Sequence, residues 1–186
     1  MKYFTFVLGA ILVAYLSVGC NQNPHKTRMN TTDSLQTVVN ELNAVFDSVD
    51  YDRHFANRKN MMEDISRIEG HFKAQNDTMP RDLAMSLSDY RLVWKGYKRM
   101  EGEYQGVEKE LQYTDQQLKT LKTDLENNAV NEPQAERFLQ EEKEAVSRLE
   151  INTRAFSEKM KRTEQKYQDQ KPVMSQLADS LENSIE

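Results

Sequence analysis

The sequence predicts an all-α protein, an elongated antiparallel helical bundle of three long segments kinked into four or five helices, with coiled-coil-like packing. Three observations predict it. Leu83, Tyr90, Tyr97, Tyr104, Leu111, Leu118 and Leu125 lie seven residues apart, and so do Leu139, Val146, Thr153, Met160, Tyr167, Met174 and Leu181. Heptads sustained for so long mean a helical seam. The chain holds only 6 Gly and 4 Pro among 186 residues and nowhere sustains a period of two, so strands have no signal. Turn residues cluster at Asn76-Asp77-Thr78-Met79-Pro80 and again between Asn127 and Pro133. Short connections of this kind make neighbouring helices run antiparallel.

The first segment opens at Asp33, with Gln36 three residues on as a capping box. Leu35, Val38, Leu42, Val45 and Val49 follow at 3-4 spacing, with Val39 and Phe46 widening the stripe. The register fails near Asp50-Tyr51-Asp52 and resumes at Met61, Ile65, Ile68 and Phe72, which predicts a break around 50–56. The second segment runs from about 80 to 127. Val93, Met100, Val107 and Leu121 supply its partner row, with Ser86 and Thr114 as weak steps and Gly96, Gly102 and Gly106 inside. Glu101, Glu108 and Asp115 beside the rows predict a more solvated side. The third segment starts at Glu132-Pro133, where proline suits a first helical turn. Ala135, Leu149, Phe156 and Leu177 serve its neighbouring row, and Pro172 predicts a kink or a short separate helix beyond it.

The amino end carries an address. Lys2 precedes an apolar stretch from Tyr3 to Val18, and polarity changes at once after Gly19-Cys20. A charged start, an apolar core and a small residue before the cut are the pattern of a secretory signal. The stretch is short of the ~20 apolar residues that a membrane span needs. Leu16-Ser17-Val18-Gly19-Cys20 resembles a lipobox, and Cys20 is the one cysteine of the chain. That resemblance implies cleavage after residue 19 and lipidation of Cys20. The expected organisation is therefore a signal peptide over 1–19, a lipidated cysteine and disordered tether over 20–32, and a helical bundle over 33–186. The tether is polar and contains Pro24; fully extended it would reach ~40 Å. Its His25, Lys26 and Arg28 stand where lipid phosphates could be touched. Asn21 after the cysteine favours the outer membrane, facing the periplasm.

Candidate chemistry is sparse. A di-iron helix needs glutamate three residues before histidine, but Tyr51 precedes His54 at that distance and Ile68 precedes His71. Asp47, Asp50, Asp52 and His54 gather at the expected break, where carboxylates and irregular backbone suit a divalent ion; a solvated, charged helix junction with capping carboxylates is the simpler explanation and the one preferred. His54, Met61 and Met62 are a softer set of the same kind. Tyr90, Trp94, Tyr97 and Tyr104 could line a ligand groove, although aromatics at helical spacing are core residues first. There is no GxSxG, no phosphate-cradling glycine loop and no cysteine beyond Cys20. The formal charge of −5, with both signs interspersed, speaks against a nucleic-acid partner.

Ala84-Met85, Val93-Trp94, the run from Leu118 through Leu121-Lys122-Thr123-Asp124-Leu125, and Phe138-Leu139 with Glu142 resemble the small all-helical envelope lipoproteins of Bacteroidota, some of which carry the label "viral A-type inclusion protein". The resemblance implies an envelope location and a helical body; it carries no activity and no functional residue. The expected function is a non-enzymatic structural or protein-interaction lipoprotein, bound to the membrane through Cys20 and to another envelope protein or to itself, with no cofactor. A ligand- or metal-binding module and a periplasmic chaperone are the alternatives.

Overall fold

The computed structural model describes residues 23–183. The expected signal peptide over 1–19 and Cys20 lie outside the described residues. All regular structure within them is α-helix, packed as a bundle: α1 Lys26–Asp47, α2 Tyr51–Ala74, α3 Arg81–Glu126 and α4 Glu132–Asn183. Contacts along α3 climb as contacts along α4 descend. Tyr90 and Ser175 meet at Asp64, Tyr97 meets Tyr167, Tyr104 meets Phe156, and Leu121 and Leu125 join Ala135 and Leu139. Helices α1 and α2 together form the third member, with Gln36 against Asp115, Phe46 against Tyr104 and Arg58 against Glu101. At 46 residues, α3 is ~70 Å long.

Both heptad rows point inward. Tyr90, Leu118, Leu125, Met160 and Tyr167 are almost wholly buried. The partner row on α3 departs at one place, where Leu87 takes the buried position and Ser86 stays outside. Helices α2 and α3 stop by one device. Asn76 and Asn128 both adopt a φ of 50°. Asp77 N–H then reaches Phe72 O, and Ala129 N–H reaches Asp124 O, at 3.0 and 2.8 Å. These are Schellman closures, with asparagine in the left-handed position after the helix. Asn131 then caps α4: its Oδ1 accepts from Gln134 N at 3.0 Å, and Gln134 Oε1 accepts from Asn131 N at 3.2 Å, a reciprocal capping box.

Four expectations need correction. Residues 26–32 are not a tether but the first two turns of α1. Asn23 Nδ2 donates to Leu125 O and Glu126 O at 3.0 and 3.2 Å, and a His25 ring nitrogen lies 3.1 Å from Val130 O. The α3 end leaves carbonyls without helical partners, and the N-terminal strand of chain satisfies them. Thr32 is buried, and Met29 packs on the Leu121–Leu139 cluster. Asp33 and Gln36 cap nothing; they face Lys122 and Asp115. The break lies at 48–50, not 50–56, because Asp50 Oδ1 accepts from Arg53 N at 3.0 Å and starts α2 at once. Helix α4 runs uninterrupted through Pro172.

Amide exchange should therefore find the N–H groups of 29–32 protected to nearly the level of the α1 middle, and Asn23→Ala should shorten that protection first; random-coil exchange there would sink the pinned arrangement. Pro172→Ala should raise the unfolding free energy by up to ~3 kcal/mol, read by urea denaturation, because a backbone donor is restored inside a continuous helix. An unchanged midpoint would mean that the helix bends at residue 172 in solution.

Candidate functional site

The break between α1 and α2 is the point at which polar side chains enter the core. An aromatic layer covers it. The Tyr104 ring of α3 is held between Phe46 at the end of α1 and Tyr51 at the start of α2, at centroid distances of 4.6 and 4.1 Å, with Phe156 of α4 closing the layer. Stacked and tilted rings at these distances add ~0.5–1.5 kcal/mol per pair beyond their burial.

One turn further on, the Glu164 carboxylate of α4 gathers donors from three helices. Tyr97 Oη donates to Oε2 at 2.8 Å, Asn57 Nδ2 donates to Oε2 at 3.0 Å, and Gln168 Nε2 donates to Oε1 at 2.6 Å. The Arg53 guanidinium stands 3.8 Å from Oε1. His54 Nδ1 approaches Oε2 to 2.9 Å, but off the line of a sound hydrogen bond. Burial lowers the His54 imidazole below its ordinary 6.5, against the pull of Glu164, so the ring is neutral at neutral pH. Burial alone would push the Glu164 carboxyl up; the bonds from Gln168 and Tyr97 and the neighbouring His54 and Arg53 outweigh it and hold it below the usual carboxylate range. Burial, helped by the bond to Glu164, keeps the Tyr97 phenol far above its ordinary range.

A second buried carboxylate lies along the same seam. Asp64 Oδ2 accepts from Tyr90 Oη at 3.0 Å and from Ser175 Oγ at 2.9 Å. Burial and the neighbouring Asp64 drive the Tyr90 phenol far upward. Protein donors hold both oxygens of Glu164 and Oδ2 of Asp64. Such networks fix which residues face which, since a carboxylate left unpaired in the core is costly.

The residues singled out in the sequence fall as follows. Asp50 is spent on capping α2, and Asp47 and Asp52 are exposed. His54 turns inward to Glu164 and away from those carboxylates. Among the described residues, no group of three or more His, Cys, Asp and Glu side chains is placed to hold a metal ion. Met61 is core and Met62 is half exposed. Tyr90 and Tyr97 are buried and hydrogen-bonded, Tyr104 is stacked, and Trp94 is half-buried with Lys98 Nζ 5.8 Å above its ring. Glu101 pairs with Arg58 at 2.7 Å. The aromatic row is thus mostly bundle interior.

Glu164, Asn57 and Asp64 are the residues that pattern reading passed over. Their signal was present. Glu164 lies four after Met160 and three before Tyr167; His54, Asn57, Met61, Asp64 and Ile68 step by 3, 4, 3 and 4. The stripe does not fail at 50–56. It continues through polar side chains that are buried.

The titration of this cluster has a definite sign. Unfolded His54 takes a proton near 6.5, while folded His54 takes it only at lower pH, so the unfolded state binds more protons in between and stability falls as the medium is acidified below 6.5. The Glu164 contribution, present above the ordinary 4.5, is lost lower still, as pH falls through its depressed folded value. His54→Gln should flatten the fall in thermal midpoint between pH 6.5 and 5 and leave the more acid loss in place. An unaltered profile would remove His54 from this account.

No family model, no curated protein and no solved structure matches this chain.

Proposed function

We propose that this chain is a lipid-anchored envelope protein without catalytic activity, whose helical bundle serves as a structural or protein-interaction body. The observation that carries the reading is the placing of the amino end. Cys20, in its lipobox-like setting, is three residues from Asn23, which is bonded to the last carbonyls of α3. Three residues span only ~10 Å. A lipid on Cys20 therefore holds the α3–α4 turn beside the bilayer and leaves the ~70 Å bundle to project from it. No helix among the described residues is long and apolar enough to cross a membrane, so attachment in this reading rests on the lipid. Two acyl chains or more give stable anchoring. The reading places the protein at the outer membrane, facing the periplasm.

Interaction is favoured over chemistry because Glu164 and Asp64, the carboxylates of the core, are engaged by protein donors, whereas Met85, Leu92, Tyr113 and Ile151 remain largely outside the core. A ligand-binding reading has one observation in its favour. A cleft of about 180 Å³ opens over Asp50, Arg53, His54, Lys161 and Glu164.

Growth with an alkyne-tagged fatty acid should label the wild-type chain and leave Cys20→Ala unlabelled and longer by its uncleaved leader on a gel. Equal labelling of both, or of neither, would overturn the anchor. Membrane fractionation of the same cells should find the labelled chain with the outer membrane.

A further inference from the structure

Helices α3 and α4 carry a second seam, on the side turned away from α1 and α2. On α3, Met85, Leu92, Arg99, Gly106 and Tyr113 lie seven apart, and Asn152, Lys159, Lys166 and Val173 lie seven apart on α4. Between these columns run two open clefts, of about 480 Å³ at Gly106 and Ala155 and about 370 Å³ at Gly96 and Thr163. The bidentate Lys159–Glu103 ion pair, at 2.6 Å, separates them. A methyl group added at Gly106 would meet nothing within 4 Å. The floor is thus open to a backbone that comes close.

Phe55 and Met62 of α2 are also exposed, but on α3 and α4 the apolar pairs left outside the core sit at the two ends of this trough. Leu92, 62% exposed, shares a cleft with Gln170, and Val173, also 62% exposed, is one turn further along α4. Tyr104 stands opposite Phe156. Nine residues on along α3 and nine back along α4, Tyr113 comes level with Ser147, one turn from Ile151; Tyr113 and Ile151 are 67% and 66% exposed. Each end therefore offers one apolar residue from α3 and one from α4.

The charges divide by helix. Of the ionisable side chains lining the two clefts, α3 supplies Asp89, Arg99, Glu103 and Glu110, whereas α4 supplies Lys159 and Lys166. One wall is acidic on balance and the other basic. A surface with that division is complementary to itself under a two-fold rotation, because α3 of each copy then faces α4 of the other twice over.

We propose that this trough is the interface of a homodimer, in which a second copy packs its α3 on this α4 about a two-fold axis running along the bundle. This inference rests on the anchored reading above in one respect: anchors in one membrane require both amino ends at the same end of the dimer, and only an axis along the bundle does that. Each residue then keeps its level. Leu92 meets Val173 of the second copy, Tyr113 meets Ile151, and Glu103 and Lys159 exchange partners across the axis. The glycines let the helices approach in the middle, and the two apolar pairs close the ends.

The test uses the full chain, extracted from membranes in detergent, and Leu92→Cys as a reporter. Light scattering should give two chain masses, and a short bis-maleimide should convert Leu92→Cys into a covalent dimer. Leu92→Glu should keep the helical circular-dichroism spectrum and weaken association on the order of tenfold or more. A monomer at tens of micromolar overturns the proposal. So does a dimer in which Leu92→Cys joins only to Tyr113→Cys chains, since that is the reversed two-fold. A helix from a different protein seated in the trough would show as a monomeric chain once purified, and equally overturns it. Fatty-acid labelling is read on the same samples. A labelled monomer discards the dimer and keeps the anchor; an unlabelled parallel dimer discards the anchor and keeps the interface.

Discussion

The bundle depends on one desolvated carboxylate. Helices α1 and α2 must act together as a single member beside α3 and α4, yet the chain turns between them at Ser48–Asp50. Apolar packing alone does not fix how two short helices abut. Glu164 sets α2 against the other two members, because Asn57 of α2, Tyr97 of α3 and Gln168 of α4 all donate to its two oxygens. A slip of α2 by one turn would take Asn57 away from that charge and leave only the Tyr97 and Gln168 donors, and a core charge short of partners is costly. Tyr104, one turn away, adds the complementary constraint from the apolar side by stacking on Phe46 and Tyr51 together.

Much of this was legible in the residue pattern. The heptads of α3 and α4 carried the all-helical class and nearly every core position, since a seam of that length admits no other period. The turns were legible because asparagine tolerates the left-handed conformation in which Asn76 and Asn128 are found. What escaped was polar. Asn23 and His25 read as tether because nothing local shows that the carbonyls of Leu125 and Val130, about a hundred residues away, need donors. Asn57, Asp64 and Glu164 occupy core spacing, but a stripe sought among apolar residues skips them. Pro172 read as a kink or the start of a short separate helix, yet packing of Tyr167, Met174 and Ala178 on either side keeps the helix going despite the lost backbone bond.

The polar arrangement also separates the interior from the outer surface by kind. Inside, carboxylates are few and held by protein donors. Outside, ion pairs such as Arg154–Glu150 and Lys119–Asp115 follow helical spacing, where each adds a few tenths of a kcal/mol and maintains solubility. Along the outer α3–α4 trough, apolar side chains and glycines interrupt that solvated pattern over several turns.

The bonds from Asn23 to the end of α3 bridge 102 and 103 residues of sequence. A chain made amino end first, at ~5–20 residues per second, produces α1 some 5–20 s before the surface that α1 needs. During that interval Val39, Leu42 and Phe46 have no partner helix. Helices α3 and α4, joined by a short turn, can close on each other as soon as both exist, so the earliest element synthesised is among the last to be locked. The terminal segment is thus free while the rest is being made, and is fastened only when the bundle is complete.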